Sequence, residues 1–90
     1  MSHPDYVEGF GGSLEELARD VGRMRYDCVA RFLEALADDM KGQADADKGR
    51  GRVQLAARLY EAAEALYASR EKVVGVWSVC APYMKASDGG

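Results

Sequence analysis

Apolar and small side chains recur at alternating steps of three and four residues through the second half of the chain. They are Ala56, Leu59, Ala63, Leu66, Val73, Trp77, Cys80 and Met84. Arg70 is the one charged residue in this series, and a second row at steps of seven runs beside it: Val53, Tyr60, Tyr67 and Val74. Such spacing is typical of an α-helix with one apolar face. Because two adjacent rows are too wide for one neighbour to cover, we expect this helix to pack against more than one partner.

The first half of the chain predicts one long helix over residues 14–46. Ser13 and Glu16 match a capping box, in which each side chain bonds to the backbone N–H of the other residue. The end of this helix is marked less sharply, because both Gly42 and Gly49 can terminate a helix. We place it between these two glycines.

The inward face of this first helix is again apolar. It consists of Leu14, Leu17, Ala18, Val21, Met24, Cys28, Val29, Phe32, Leu36 and Met40. Between Met24 and Phe32 the stripe drifts around the helix. Drift is expected when a straight helix of about 3.6 residues per turn carries a seven-residue repeat, so we expect the helix to continue through it.

A turn at residues 47–51 separates this helix from the second, which is expected to span 52–81. Pro82 lacks a backbone N–H and disfavours helical geometry in the residue before it, so it is expected to end or kink the second helix. The flanking segments are expected to be a flexible glycine-rich lead-in at 1–12 and a frayed polar tail at 85–90.

Two long helices joined by a short turn lie antiparallel. A lone hairpin leaves Tyr60, Tyr67 and Val74 as a continuous exposed strip, which soluble monomers avoid. Two hairpins stacked as a four-helix bundle cover both rows. The sequence therefore predicts an all-α protein, an antiparallel two-helix hairpin that dimerises into a four-helix bundle, with these three residues at the dimer interface.

Length and composition indicate the number of domains and the expected localisation, but they say little about function. Ninety residues make a single domain, and a net charge of −3 gives no electrostatic reason to expect a nucleic acid or a membrane as the main partner. The chain begins without the basic and apolar regions of a signal peptide and has no run of apolar residues long enough to cross a bilayer. We therefore expect a soluble cytoplasmic protein.

The residue types of common catalytic and metal sites are sparse. Di-metal centres in bundles need inward glutamates and histidines, but His3 is the only histidine and precedes the helices. Cys28 has no base nearby to activate its thiol, and Cys28 and Cys80 lack metal-like spacing. We therefore expect reduced cysteines, no catalytic residue, no metal and no cofactor.

Arg70 is the exception in the apolar series, and it lies level with about residue 29 of the first helix. A guanidinium at such a position reaches water along the edge of the bundle, pairs with a carboxylate, or binds a ligand. Asp27 is the candidate partner for a buried ion pair that would fix the register of the two helices.

The end of the second helix is apolar on nearly all sides. Its candidate partner-binding or ligand-binding residues, together with an aromatic residue of the lead-in, are Trp77, Cys80, Tyr83, Met84 and Phe10. Such residues form either local core covered by the lead-in or a docking surface, since tryptophan, tyrosine and methionine are frequent interface anchors.

The leading hypothesis is a small non-enzymatic interaction or regulatory module that homodimerises and meets a protein partner through this apolar patch. One alternative is a protein that binds an apolar small ligand at the end of the bundle. The other is a weak phosphate or nucleic-acid binder through the basic turn of Lys48, Arg50 and Arg52, whose field Asp45 and Asp47 partly cancel.

Overall fold

The computed structural model describes residues 3–88, with side chains described as far as Tyr83. The described residues form three α-helices and no strand: α1 (Leu14–Gly22), α2 (Tyr26–Gly49) and α3 (Val53–Asp88). The all-α prediction is confirmed, but the chain has three helices where two were expected.

α1 begins at the predicted capping box. The Ser13 hydroxyl accepts a hydrogen bond from the Glu16 N–H at 3.0 Å, and the Glu16 carboxylate accepts one from the Ser13 N–H at 2.9 Å. These bonds lower the pKa of Glu16, the backbone bond from Ser13 contributing most. The cap fixes where α1 starts.

The expected continuous first helix is broken between Gly22 and Tyr26. Glycine has the poorest helix propensity after proline, and Arg25 leaves the helical region with φ −51° and ψ 141°. The Arg25 guanidinium binds the Asp27 carboxylate at 2.8 and 3.0 Å across the new helix start. The apolar stripe shifts in this region because the helix is interrupted, and not only because of a mismatch between two periods.

The other helix ends also differ from those expected. α2 runs on to Gly49, and Gly51 makes the turn at φ 81°, a conformation that glycine adopts without strain. α3 passes through Pro82 and continues to Asp88, so Pro82 does not terminate it and residues 85–88 are helical. Pro82 lies on an exposed surface, where water can satisfy the carbonyl that loses its helical donor.

α2 and α3 form an antiparallel pair around a seam of alanines. The fully buried residues among those described are Ala30, Ala37 and Ala44 on α2 and Ala56 and Ala63 on α3, each at most 5% exposed. Each set repeats every seven residues, so the two helices meet at small side chains and can approach closely. The two helices therefore run antiparallel on either side of the turn at Gly51.

The rest of the hairpin has two unlike faces. Each residue turns an α-helix by about one hundred degrees, which places Asp38, Asp45, Tyr60 and Tyr67 on one side of the alanine seam and a group of leucines on the other. The first side is the polar face, and the second is apolar. We call the apolar one the leucine face; its central residues are Leu33, Leu36, Met40, Leu59 and Leu66. All five are half-buried or exposed, and α1 lies against α2 and not against α3. The molecule is a slab of 53 × 30 × 14 Å.

Candidate interaction surfaces

Two tyrosine–aspartate contacts span the polar face. The Tyr60 hydroxyl donates to the Asp45 carboxylate, and the Tyr67 hydroxyl donates to the Asp38 carboxylate. The two tyrosines are seven residues apart, as are the two aspartates. Each hydrogen bond to a carboxylate raises the pKa of the tyrosine, with desolvation adding to it. The contacts tie α3 to α2 of the same chain at successive levels.

These contacts remove the argument from which the dimer interface at Tyr60, Tyr67 and Val74 was expected. Tyr60 and Tyr67 were expected to need a second chain, but α2 supplies their partners. The next residue of this row, Val74, makes no such contact and is 43% exposed. The α2 residue at the corresponding position, seven before Asp38, is Arg31. The tyrosine row therefore gives no reason for dimerisation.

Arg70 occupies the place of a third alanine in the α3 seam, level with about Ala30. Its guanidinium bonds Glu34 at 2.7 Å and Glu71 at 2.9 Å, so the expected pairing with Asp27 is wrong. Asp27 instead bonds Arg25, which holds the pKa of that carboxyl below its usual range. The Arg70 side chain is 30% exposed, and its Nε is buried without a hydrogen-bond partner.

A small cleft lies at the open end of the hairpin beside Trp77. The Arg25 guanidinium sits 5.6 Å from the centre of the indole ring, within the range of a cation–π contact. The cleft holds about 190 Å³, and Asp27, Arg31, Glu34 and Arg70 all line it. Ala30, Val74 and Trp77 also line it, and its volume is below the roughly 300–1,000 Å³ of pockets that hold drug-sized ligands.

The predicted patch at the end of α3 projects past the first residue of α2. Because the alanine register brings Val74 level with about Tyr26, the following residues have no α2 beside them. We call residues 75–83 the overhang. Within it Trp77 and Cys80 are half-buried, while Val76, Val79 and Tyr83 are 46%, 72% and 74% exposed.

Met84 and Phe10 also belong to the predicted patch. The side chain of Met84 is outside the described residues. The Phe10 ring lies over Gly12, where a Cβ would come within 2.9 Å of it. His3, also in the lead-in, lies at the turn end of the hairpin, where it lines a groove with Gln43 and Leu55.

The basic turn is partly neutralised. Arg52 bonds the Asp47 carboxylate at 3.2 Å, and that side chain is only 13% exposed. Arg50 lines the same groove of about 220 Å³ as His3. With Arg52 engaged by Asp47, the turn offers fewer free cations than its sequence suggests.

The remaining observations concern the cysteines, potential metal ligands, membrane spans and similar proteins. Cys28 and Cys80 are both free and half-buried, and no group of three potential metal ligands occurs among the described residues. Over the same residues, no helix combines the length and apolar character that a membrane span requires. Comparison of the chain with protein families, curated proteins and solved structures finds no match.

The leucine face is the surface that the sequence interpretation missed. The sequence predicts that Leu59 and Leu66 meet the first helix and that the tyrosine row needs a second chain, but the tyrosine row bonds α2 of the same chain and both leucines stay only half-buried. A signal was present in the sequence: Asp38 and Asp45 are seven residues apart, as are Tyr60 and Tyr67. Two matched heptad pairs predict that these rows face each other.

Proposed function

We propose that this chain is a non-enzymatic interaction module that self-associates through its leucine face to form a four-helix bundle. The observation that carries the proposal is the composition of the buried core. The fully buried residues described are five alanines, and every larger apolar side chain among the described residues keeps part of its surface in water.

An alanine seam fixes the distance between two helices but removes little apolar surface from water. Full burial of a leucine or phenylalanine contributes about 1.5–3 kcal/mol. Leu33, Leu59 and Leu66 are only half-buried in one chain. A partner on the leucine face buries them further and so increases their contribution to stability. Phe32 and Leu36, which are 42% and 39% exposed, lie on the same side of α2.

The area of the face suits a dimer. A hairpin in which α2 has 24 residues offers a face of roughly 36 × 20 Å, from a rise of 1.5 Å per residue and helices about 10 Å wide. Two such faces bury about 1,400 Å², within the range of about 1,200–2,000 Å² for stable protein interfaces. A second copy is favoured as the occupant because a flat apolar face on an antiparallel pair is complementary to itself.

Light scattering coupled to size-exclusion chromatography tests the proposal. We expect a dimer at micromolar concentration. Leu66→Glu should give a monomer, because it places a charge in the interface, whereas Ala65→Glu, one residue away on the exposed side of α3, should leave the dimer intact. A wild-type chain that is monomeric at 100 μM overturns the proposal.

A second variant separates loss of association from loss of folding. Leu36 is already 39% exposed, so Leu36→Glu should keep the helical circular dichroism of the hairpin while abolishing the dimer. If Leu36→Glu and Ala65→Glu have the same mass, the leucine face is not the interface.

A further inference from the structure

The two helices of the hairpin differ in length. α2 has 24 residues and α3 has 36, so α3 is longer by roughly 18 Å at the helical rise of 1.5 Å per residue. Most of this excess is at the open end and includes the overhang. Residues 73–84 contain no charged side chain, so the overhang is an apolar helix with water on most sides.

The apolar rows of the leucine face continue onto the overhang. Leu59, Leu66, Val73 and Cys80 follow one another at steps of seven and are all half-buried. Beside them runs a second row of uncharged residues: Ala62, Ser69 and Val76. One strip therefore extends from residue 59 to residue 80 of α3, past the part that α2 accompanies.

The row of Leu59, Leu66, Val73 and Cys80 coincides with itself when the helix is reversed about the point between Ser69 and Arg70. If two copies of α3 run in opposite directions around that point, Leu66 meets Val73 of the second copy and Leu59 meets Cys80. Ala62 then meets Trp77, so a small side chain lies opposite the largest one. Alternation of large and small residues is how facing helices fill space without voids.

We infer that the second copy packs its α3 antiparallel on α3, with the two-fold axis beside Ser69, so that each overhang lies on the first half of the partner helix. This inference rests on the proposed self-association. It names the seam and the orientation, which that proposal leaves open.

Length and area favour this orientation. If the hairpins stacked in the same direction, each α3 would lie over α2 of the other copy, and both overhangs would extend beyond the shorter helices. In the antiparallel seam the described residues 56–83 pair with each other, so a strip of roughly 42 × 10 Å is covered on each copy. This is about 840 Å² in total before α2 contributes, most of the roughly 1,000 Å² expected of a biological interface.

Disulfide trapping tests the seam. In a Cys28→Ser background, Leu59→Cys places a thiol opposite native Cys80 of the second copy. We expect mild oxidation with diamide to convert most of this variant to a covalent dimer that dithiothreitol reverses. Positions 59 and 80 of one helix are about 31 Å apart, far beyond the roughly 7 Å limit of a disulfide, so the bond cannot form within a chain.

The matched controls each keep one of the two thiols. Cys28→Ser alone retains only Cys80, and the triple variant with Cys80→Ser retains only the thiol at position 59; neither should be trapped above the background level. Equal trapping through Cys80 alone would indicate parallel helices and overturn the inference, while the proposed dimer would stand.

A second variant guards against the case in which Leu59→Cys weakens association. Ser69 is exposed, so Ser69→Cys in a chain without other cysteines should fold normally and cross-link to itself beside the two-fold axis. A dimer by light scattering that neither variant traps overturns the antiparallel seam alone. A monomer in every sample overturns both the seam and the self-association.

Discussion

The alanine seam predicts a large penalty for a small change at Ala63. This residue is 2% exposed and lies level with Ala37, which is 0% exposed. In Ala63→Leu, three additional carbon atoms enter a seam that has no room for them. The helices must separate from roughly 8 Å toward 10 Å, the span that side-chain size sets for packed helices. The Tyr60 and Tyr67 contacts to α2 flank the site and would be pulled apart.

Overpacking of this kind costs about 1–3 kcal/mol. For a domain of about 60–100 residues, each kcal/mol lowers Tm by about 4–8 °C, so we expect Ala63→Leu to melt roughly 5–20 °C below the wild type. The measurement is thermal unfolding followed by circular dichroism at one fixed protein concentration, because association makes Tm concentration-dependent.

Ala65→Leu is the matched control, since Ala65 is on the same helix, two residues away, and exposed. Surface substitutions usually change stability by no more than about 0.5 kcal/mol, so its Tm should stay close to that of the wild type. If the two leucine variants melt within about 2 °C of each other, which at 4–8 °C per kcal/mol is less than 0.5 kcal/mol, α2 and α3 do not meet at a close-packed alanine seam.

Two further predictions concern the polar groups of the hairpin. The pKa values of Tyr60 and Tyr67 are raised in the folded state, so their contribution to stability is complete below the unfolded pKa of about 10 and is lost as the pH rises further. The double variant Tyr60→Phe/Tyr67→Phe should therefore lose less stability than the wild type between pH 9 and 11 in urea unfolding; parallel pH profiles would contradict the tyrosine–aspartate contacts. Arg70→Met should change the free energy of unfolding by less than about 1 kcal/mol, because partly exposed ion pairs contribute about 0–1 kcal/mol and the unbonded Nε is removed. A loss above about 3 kcal/mol, measured with Glu34 and Glu71 unchanged, would instead indicate a buried ion pair.

Local signals in the sequence were reliable where a few neighbouring residues decide the outcome. The capping box at Ser13 and Glu16 is formed as predicted, because its bonds lie within one helical turn. The hairpin turn near Gly49 and Gly51 also follows from residues close in the chain. The helix end expected at Pro82 is not found, because the cost of one lost hydrogen bond depends on whether water can replace it.

The sequence by itself determined that the chain is helical and that its helices carry wide apolar rows. It could not determine which row meets which, because both rows of α3 have the seven-residue spacing that pairing with α2 requires. The tertiary structure decides this through Asp38 and Asp45, whose carboxylates meet the hydroxyls of Tyr60 and Tyr67 only when the polar rows face each other. With those bonds in place, the alanines close the seam and the leucines lie on the opposite face, where Leu33, Leu59 and Leu66 stay only half-buried.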